Sequence, residues 1–369
     1  MEVLLTAAHH GASFVIDAID PVGTLDRRVY ERLGRVFEQE MVYEPYFRGE
    51  LAADVGVYYP STGRYNTQEQ KYNVKPCCVT LTTTLIENNI PVAVLSSRER
   101  ALQKYRMILA PAVAGMPDGQ ADALAQYVEN GGTLYFSGVE EPSLLERFFG
   151  AKVERFTDES AVYLAPTAAG APLFWEFTEK YPLPCEFRLP VISLPENSPA
   201  EIFATLTLPY TKPDESRFAS IHSNPPGIPT DIPAIVSASY GKGTVLWSAA
   251  PLEIDTRYAQ KTVLMNLLRR FMHAGTLSVL SDAPRQVELV TFREDKEVLL
   301  SAVDLLCTEE QLPVRDFRIR VRCDRKPVSA VRLASLQKPE QPLDFTWEDG
   351  YASFDVRGLV MFDMFRLTF

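Results

Sequence analysis

Cysteine and histidine are scarce in this sequence, and the cysteine positions argue against two kinds of site. Five cysteines and four histidines occur among 369 residues. No two cysteines have the CxxC spacing typical of a structural zinc site. Two of them, Cys77 and Cys78, are adjacent, which is poor geometry for a disulfide framework. We therefore expect reduced thiols, a cytoplasmic location, and no metal or other cofactor.

Long apolar runs and an excess of positive charge are also lacking. No stretch approaches the roughly 20 apolar residues that a membrane span needs. The first residues, Met1-Glu2-Val3, lack the basic region and long apolar core of a signal peptide. The 37 basic and 48 acidic residues give a net charge of −11, and an acidic surface repels phosphate backbones. A soluble protein that binds neither membranes nor nucleic acids is expected.

The length and composition indicate a globular chain of several domains. At about 150 residues per domain, 369 residues predict two to three domains. Hydrophobic residues make up 46% and charged residues 23%, which are ordinary globular values and exclude a wholly disordered chain. We place the domain boundaries at 1–50, 51–275 and 276–369.

The first 50 residues predict one strand and one helix. Residues 13–16 form a short apolar run, the turn signal at residues 20–23 follows, and residues 25–39 have helical periodicity. Residues 43–49 are interpreted as a linker. Such a βα unit cannot bury both faces of its strand alone, so it must dock on something larger or be the remnant of something larger.

The next segment alternates strands and helices, which is typical of a doubly wound parallel sheet. Strands are predicted at 54–60, 91–96, 106–111 and 133–137, and helices at 76–88 and 117–130. The runs at 91–96 and 106–111 are continuously apolar, as in strands buried on both faces. The fold class is therefore α/β.

The remainder of the chain predicts an irregular insertion and then a second β-rich domain. Residues 151–231 are rich in proline and are interpreted as an elaboration of the sheet edge. Residues 234–248 predict a hairpin with glycines at its turn, and 258–273 predict a helix. After Gly275 short strands with turn residues between them indicate a small antiparallel β-sandwich.

Two groups of carboxylates are candidates for catalysis. Hydrolysis of a glycosidic bond needs two carboxyl groups facing each other across a sugar. Asp17 and Asp20 stand where a barrel strand would end, the usual place for catalytic groups in barrel enzymes, but turn and helix-cap roles are the favoured alternative. Glu140 and Glu141 follow the fourth strand, at the edge where such sheets bind ligands, and a solvated loop is the alternative.

Two other motifs have a structural interpretation beside a chemical one. Cys77 and Cys78 lie near a helix start, where a thiol pKa can fall, but no motif links them to a histidine base. The string Gly241-Lys242-Gly243-Thr244 lacks the spacing of a phosphate-binding loop and is interpreted as a hairpin turn.

Four strings together resemble the β-galactosidase trimerisation domain. They are DVGVYY at 54–59, MILAP at 107–111, YVENGGTLYFSG at 127–138 and YGKGTVLWS at 240–248. The resemblance implies a flavodoxin-like domain related to class I glutamine amidotransferases. The region after Gly275 is similar to the C-terminal β-sandwich of the same enzymes, and residues 11–24 resemble the last βα unit of the barrel in α-L-fucosidase-like hydrolases.

The resemblance leaves out the catalytic barrel. A (β/α)₈ barrel needs about 250 residues, and only some 50 precede Asp54, so we expect a truncated or split hydrolase. The amidotransferase relation implies no activity either, because no cysteine stands at the turn after Ser137-Gly138. The favoured function is an accessory and oligomerisation portion of a glycoside hydrolase in carbohydrate metabolism, inactive alone.

Two alternative functions stay open, and the resemblance also implies an oligomeric state. One is a hydrolase of β-galactosidase or α-L-fucosidase type whose site is completed by a separate barrel chain; the other is a binding module for a small ligand such as a sugar. A homotrimer is implied by the family. Aromatic side chains in the proline-rich insertion are candidates for its interface or for a local cover of the sheet edge: Phe174, Trp175, Phe177, Tyr181 and Phe187.

Overall fold

The computed structural model describes residues 2–18, 21–59, 74–112, 116, 119–138, 142–211, 224–306 and 312–369. The chain divides into two compact units. The sandwich unit consists of Met1–Ala53, Leu85–Pro91 and Gly275–Phe369. The α/β unit consists of Asp54–Thr84 and Val92–Ala274.

Two of the described helices lie near the start of the chain, and the other four lie between Val74 and Met272. They are α1 (Glu2–Ala8), α2 (Arg27–Met41), α3 (Val74–Ile86), α4 (Gln120–Glu129), α5 (Pro142–Phe149) and α6 (Tyr258–Met272). None of these described helices has the length and apolar composition required to cross a membrane.

The strands of both units are numbered together, in the order in which they occur in the chain. They are β1 (Glu50–Leu51), β2 (Val55–Tyr58), β3 (Val92–Leu95), β4 (Met107–Ala110), β5 (Thr133–Ser137), β6 (Lys152–Phe156), β7 (Val162–Pro166), β8 (Leu183–Cys185), β9 (Pro190–Ser193), β10 (Glu201–Pro209), β11 (Pro226–Tyr240), β12 (Gly243–Ser248), β13 (Val279–Ser281), β14 (Val287–Glu294), β15 (Glu297–Asp304), β16 (Phe317–Arg322), β17 (Ser329–Arg332), β18 (Gln341–Pro342), β19 (Phe345–Glu348), β20 (Tyr351–Val356) and β21 (Phe362–Thr368).

A mixed sheet with helices forms the centre of the α/β unit. Among the described residues it contains nine strands in the order β3-β2-β4-β5-β12-β11-β10-β7-β8. The neighbours from β3 to β12 pair in parallel, and those from β12 to β8 pair antiparallel. The predicted α/β class is therefore confirmed at this level. The helix at 76–88 is also confirmed, with α3 beginning two residues earlier, so that Pro76 lies in its first turn.

The prediction that residues 91–96 form a strand buried on both faces is wrong. The strand β3 is present, but it lies at one edge of the sheet, and Val94 is 58% exposed. By contrast β4, between two parallel neighbours, is buried at every position. An apolar run alone does not decide which strand is central, because the order of strands depends on pairing across the whole sheet.

The proline-rich insertion is more regular than predicted. Within 151–231, strands β7, β8 and β10 extend the central sheet itself, and β6 pairs with β9 in a separate two-stranded sheet. The strand β10 pairs with β11 through several register shifts. Bulges of this kind accommodate prolines at positions where a regular ladder would need their missing N–H groups.

The predicted antiparallel sandwich is present in the sandwich unit. Within the described chain, one sheet has the order β1-β14-β15-β21-β17-β18 and the other β13-β16-β20-β19. Side chains of both sheets share one apolar core that includes Leu300, Ile319, Phe354 and Phe365. Along β16 buried apolar residues alternate with arginines, which gives one core face and one polar face.

The predicted strand at 13–16 is absent, and α1 is present although it was not predicted. Residues 11–18 are described without regular structure, and Phe14 is 86% exposed. A βα unit of a barrel needs neighbouring strands to pair with, and these residues have none among the described chain. The helix predicted at 25–39 is confirmed as α2, two residues later at each end.

Residues 43–49, interpreted as a linker, are partly built into the sandwich unit. Tyr43 is 3% exposed and packs edge-on against Phe362, with 4.8 Å between the ring centroids. Leu4 and Ala8 of α1 belong to the same apolar cluster, which also includes Phe292. This segment is therefore held by burial of its aromatic and aliphatic side chains.

Candidate site at the carboxyl edge of the parallel strands

A buried carboxylate lies where the parallel strands end. Glu253 is in a 3₁₀ turn that follows β12 and is 1% exposed. The hydroxyl of Tyr135, on β5, donates to Oε2 of Glu253 at 2.6 Å. The hydroxyl of Ser137, at the end of β5, donates to Oε1. Each carboxylate oxygen therefore has a hydroxyl donor.

Burial dominates the electrostatics of this group. Desolvation raises the pKa of Glu253 above its ordinary value, and the hydrogen bonds from Ser137 and Tyr135 oppose that rise. Burial and the neighbouring carboxylate raise the pKa of Tyr135 well above 10, so its phenol stays protonated and remains a donor. The arrangement can hold a proton on Glu253 more readily than a solvated glutamate can.

The network continues from Ser137 to the turn after β4. The backbone N–H of Ala112 donates to Oγ of Ser137 at 2.8 Å. Ala112 has a φ of 42°, an uncommon value for a residue other than glycine, and is fully buried. It belongs to an apolar cluster with Cys77, against which Phe187 and Ile254 pack. Small and apolar side chains therefore pack beside the polar network.

Gly138, the residue after β5, is also held by hydrogen bonds. The indole N–H of Trp247 donates to the carbonyl of Gly138 at 2.7 Å, and the N–H of Gly138 donates to the carbonyl of Ser248 at 2.9 Å. Gly138 has a φ of 70°, which glycine adopts without strain. The turn after Ser137-Gly138 that was compared with the nucleophile position of the amidotransferases, residues 139–141, lies outside the described residues.

The adjacent cysteines are buried in α3. Cys77 is 0% and Cys78 6% exposed. Burial, with the nearby Glu253 carboxylate, raises the pKa of Cys78 to about 12 and that of Cys77 still higher. Thiolate is the reactive form, so this environment suppresses nucleophilic chemistry and supports the interpretation of both as structural helix residues.

Of the four carboxylates selected from the sequence, the structure describes only Asp17. Its side chain is exposed in the irregular segment at 11–18. Asp20, Glu140 and Glu141 lie outside the described residues. The same is true of Cys307 and of Pro117 and Asp118, where the helix that corresponds to α4 was predicted to begin. A catalytic role for Asp17 and Asp20 stays a prediction. Within the described ranges, no group of three His, Cys, Asp or Glu side chains could hold a metal ion.

The string 241–244 is a hairpin turn, as predicted. Tyr240 and Gly243 are the last pair of the β11–β12 ladder. Gly241 has a φ of 58°, and a Cβ there would lie 2.7 Å from the backbone of Glu129 at the end of α4. Glycine is needed at this position for both conformation and space.

Glu253 and its partners are not among the residues predicted from the sequence. The available signal is the string Ala249-Ala250-Pro251-Leu252-Glu253-Ile254, in which one carboxylate interrupts an apolar run after a buried strand. A lone charged residue in such a run is typically paired when it is buried. The hydroxyls that pair with it come from a strand more than 100 residues earlier, so the sequence alone does not identify them.

The parallel part of this sheet is where a family model matches. Residues 53–157 match the β-galactosidase trimerisation domain. The matched span includes β2 to β5 with the intervening helices α3 and α4, and so it includes Tyr135 and Ser137. The resemblance inferred from the sequence is confirmed for these residues.

Solved structures of glycoside hydrolases have a similar fold. α-L-Fucosidase isoenzyme 2 from Paenibacillus thiaminolyticus is 15% identical, with a TM-score of 0.78 over 100% of this chain and 56% of its own. β-Galactosidase from Bacillus circulans sp. alkalophilus is 15% identical, with a TM-score of 0.59 over 91% and 46%. A GH42 β-galactosidase from G. stearothermophilus is 14% identical, with a TM-score of 0.56 over 92% and 45%.

These comparisons relate the fold of the whole chain to glycoside hydrolases. The chain spans about half the length of the solved structures that it matches. No curated protein sequence gives a significant match.

Proposed function

We propose that this chain is the accessory and assembly portion of a glycoside hydrolase in carbohydrate metabolism, inactive by itself. The observation that carries the proposal is the family match at residues 53–157, which supply four of the five strands in the parallel part of the central sheet. The fold likeness to an α-L-fucosidase and to β-galactosidases over 91 to 100% of this chain supports the same relation.

The exposed apolar segment between α1 and α2 supports docking to a catalytic portion. Phe14 and Ile16 are 86% and 81% exposed, and Val22 is 82% exposed. Apolar side chains this exposed and this close in sequence are typical of a surface that another polypeptide covers. We assign that surface to a barrel that supplies the paired carboxylates of hydrolysis, on the same polypeptide or on another chain.

The aromatic side chains at residues 174–181 and on α6 support assembly through the α/β unit. Trp175 is 48% exposed and meets the ring of Tyr258, itself 57% exposed, edge-on at 5.7 Å. Phe174 of the same insertion is fully buried and anchors the segment. Exposed aromatic pairs are enriched in the cores of interfaces. A cyclic trimer joins two different surfaces of each subunit, and we assign one of them to Trp175 and Tyr258.

Gel filtration coupled to light scattering tests the assembly. The chain is expected to elute with the mass of three copies, and Trp175→Ala is expected to shift it toward the monomer because it removes the larger half of the aromatic pair. Trp347→Ala is the matched control, since Trp347 is 38% exposed on the sandwich unit. A monomer at tens of micromolar, or the same shift in both variants, contradicts this assignment.

Activity assays test the accessory role. The chain alone is expected to hydrolyse aryl galactosides and aryl fucosides no faster than a buffer blank. Hydrolysis that disappears in Asp17→Asn would contradict the proposal and support catalysis by the N-terminal carboxylates.

A further inference from the structure

A cavity in the sandwich unit is lined by an aspartate, one of whose carboxylate oxygens is buried and has no hydrogen-bond partner among the described residues. The cavity has a volume of about 160 Å³ and lies between α1 and α2, the turn at residues 335–338 and the start of β21. Asp363 lines it and is 3% exposed. Its Oδ2 atom is buried and accepts no hydrogen bond from any residue that the structure describes. Buried polar atoms are nearly always satisfied, so an orphaned one beside a cavity points to a missing donor.

The other oxygen of this carboxylate is already engaged. Nζ of Lys338 lies 3.7 Å from Oδ1 of Asp363 and donates to the carbonyl of Gly358 at 3.2 Å. The turn that carries Lys338 is fixed by Ser335, whose backbone N–H donates to the carbonyl of Lys338 at 2.8 Å. The ammonium group of Lys338 therefore lies where it compensates the charge of Asp363. It does not donate a hydrogen bond to Oδ2.

The charge and shape of the lining restrict what could supply that donor. Lys338 and Asp363 cancel each other, and the remaining polar side chains, Gln39 and Ser335 among them, are neutral. The lining side chains therefore have no net charge that would select a cation or an anion. Tyr43 and Phe362 contribute aromatic surface beside these polar groups. Apolar walls with a few polar groups are typical of sites for small neutral molecules.

The volume sets the size of the ligand. A single water needs roughly 10–15 Å³ of such space, and an apolar cavity of about 150 Å³ takes a molecule as large as benzene. A cavity of about 160 Å³ therefore has room for about six non-hydrogen atoms. Glycerol has this size, and so does one edge of a monosaccharide.

We propose that this cavity binds a small neutral polyol, and that one ligand hydroxyl donates to Oδ2 of Asp363. The site lies wholly within the sandwich unit and does not depend on the assembly proposed above. It gives this unit a ligand-binding role in addition to its part in a hydrolase.

Saturation-transfer NMR on the full chain tests the proposal, with glycerol and D-galactose as probes. Transfer to at least one probe is expected, at millimolar affinity. Asp363→Asn keeps the shape but removes the charged acceptor, and we expect it to weaken binding at least tenfold. Asp324→Asn is the control, because it removes the same charge from an exposed position of the same unit.

A second variant covers the case in which Asp363→Asn fails to fold. Gln39→Trp places a bulky ring in the cavity and is expected to abolish binding while Asp363 is intact. Glu38→Trp, one position earlier on α2 and exposed, is expected to bind as the unchanged chain does. The proposal is overturned if neither probe binds, if Asp363→Asn and Gln39→Trp bind normally, or if a crystal grown with glycerol shows only an ordered water on Oδ2.

Discussion

Tyr135 and Glu253, 118 residues apart in the chain, are joined by a 2.6 Å hydrogen bond at the carboxyl edge of the parallel strands. Ser137 donates to the other oxygen of the same carboxylate, and Ala112 donates to Ser137. The network therefore links β5 with the turns that follow β4 and β12. Because Tyr135 and Glu253 are both buried and every oxygen of the carboxylate is satisfied, we interpret it as a structural crosslink of this edge.

Truncation of Glu253 is expected to destabilise the α/β unit strongly. Glu253→Ala leaves the hydroxyls of Tyr135 and Ser137 buried without an acceptor and opens a cavity, which should cost about 3 kcal/mol of unfolding free energy. Glu253→Gln keeps an acceptor and the shape, so a much smaller loss is expected. Urea unfolding measures both, with exposed Glu146→Ala as the control. Equal losses for Glu253→Ala and Glu146→Ala would contradict the crosslink.

The same carboxylate predicts a pH dependence with a defined sign. The pKa of Glu253 is about 4.5 in the unfolded chain and is raised in the folded chain. Between these two values, the folded chain binds more protons than the unfolded chain. Its contribution to stability is therefore largest at low pH and falls as the pH rises through that interval. Relative to the unchanged chain, Glu253→Gln should become progressively more favourable as urea midpoints are measured from pH 5 to pH 8. A constant difference would show that Glu253 does not titrate in this range.

Substitutions in the buried helix α1 and in the exposed segment after it are expected to differ in their effect on stability. Leu4 is 4% exposed in an apolar cluster with Tyr43 and Phe292, so Leu4→Ala should cost about 2 to 3 kcal/mol. Phe14→Ser with Ile16→Ser removes side chains that are more than four-fifths exposed, so stability should change by less than about 0.5 kcal/mol and solubility should rise. Thermal unfolding measures both. A comparable loss from the serine pair would mean that the segment belongs to the native core.

Local patterns predicted the elements better than they predicted the neighbours of those elements. Apolar periodicity located α2 and α6 within two residues, because one face of each helix is buried wherever it docks. The same apolar signal placed a strand at residues 13–16, but a strand exists only if another strand pairs with it. It also predicted a central strand at 91–96, whereas β3 has one neighbour among the described strands.

The polar network and the cavity were beyond prediction for a related reason. Tyr135 and Ser137 look like ordinary residues of an apolar strand, and Glu253 looks like an ordinary charged turn residue. Their significance comes from one contact across more than 100 residues of chain. Asp363 likewise stands in a strand whose pattern gives no sign that one of its oxygens lacks a donor. Such features require side-chain positions, which sequence periodicity does not provide.

The thiols of Cys77 and Cys78 are expected to react slowly. Burial raises the pKa of Cys78 to about 12, so almost no thiolate is present at pH 7. A thiol reagent at neutral pH should label the folded chain slowly and the guanidinium-unfolded chain rapidly. The double variant Cys77→Ser with Cys78→Ser should lose only stability. Fast stoichiometric labelling of one of them in the folded chain would restore the hypothesis of a nucleophile.

His10 gives the sandwich unit a pH dependence in the acid range. Its ring stacks on Phe292 with 3.6 Å between the ring centroids and on Phe47 with 5.2 Å. Burial lowers the pKa of His10 to about 4, assisted by neighbouring His9 and opposed by a hydrogen bond with the backbone of Arg48. The neutral imidazole is therefore the form that packs between the two rings.

Acidification should remove this contribution in a predictable interval. Between the ordinary histidine value of about 6.5 and the folded value of about 4, the unfolded chain binds more protons than the folded chain. The contribution of His10 is thus fully present above about pH 6.5 and is lost as the pH falls toward 4. Because the ring is only partly buried and solvent screens part of the shift, we expect a loss of about 1 kcal/mol between pH 7 and pH 5.

His10→Phe isolates this term, because phenylalanine stacks on Phe292 but does not titrate. His10 has a φ of 53°, and the cost of placing phenylalanine in that conformation is the same at every pH. The variant can therefore be less stable at pH 7 and still lose less stability on going to pH 5. Urea midpoints of both proteins at pH 7, 6 and 5 measure the difference in stability between them. The two proteins share the same carboxylates, so the titration of those groups cancels in this difference. Parallel curves for the two proteins would show that His10 keeps an ordinary pKa when folded.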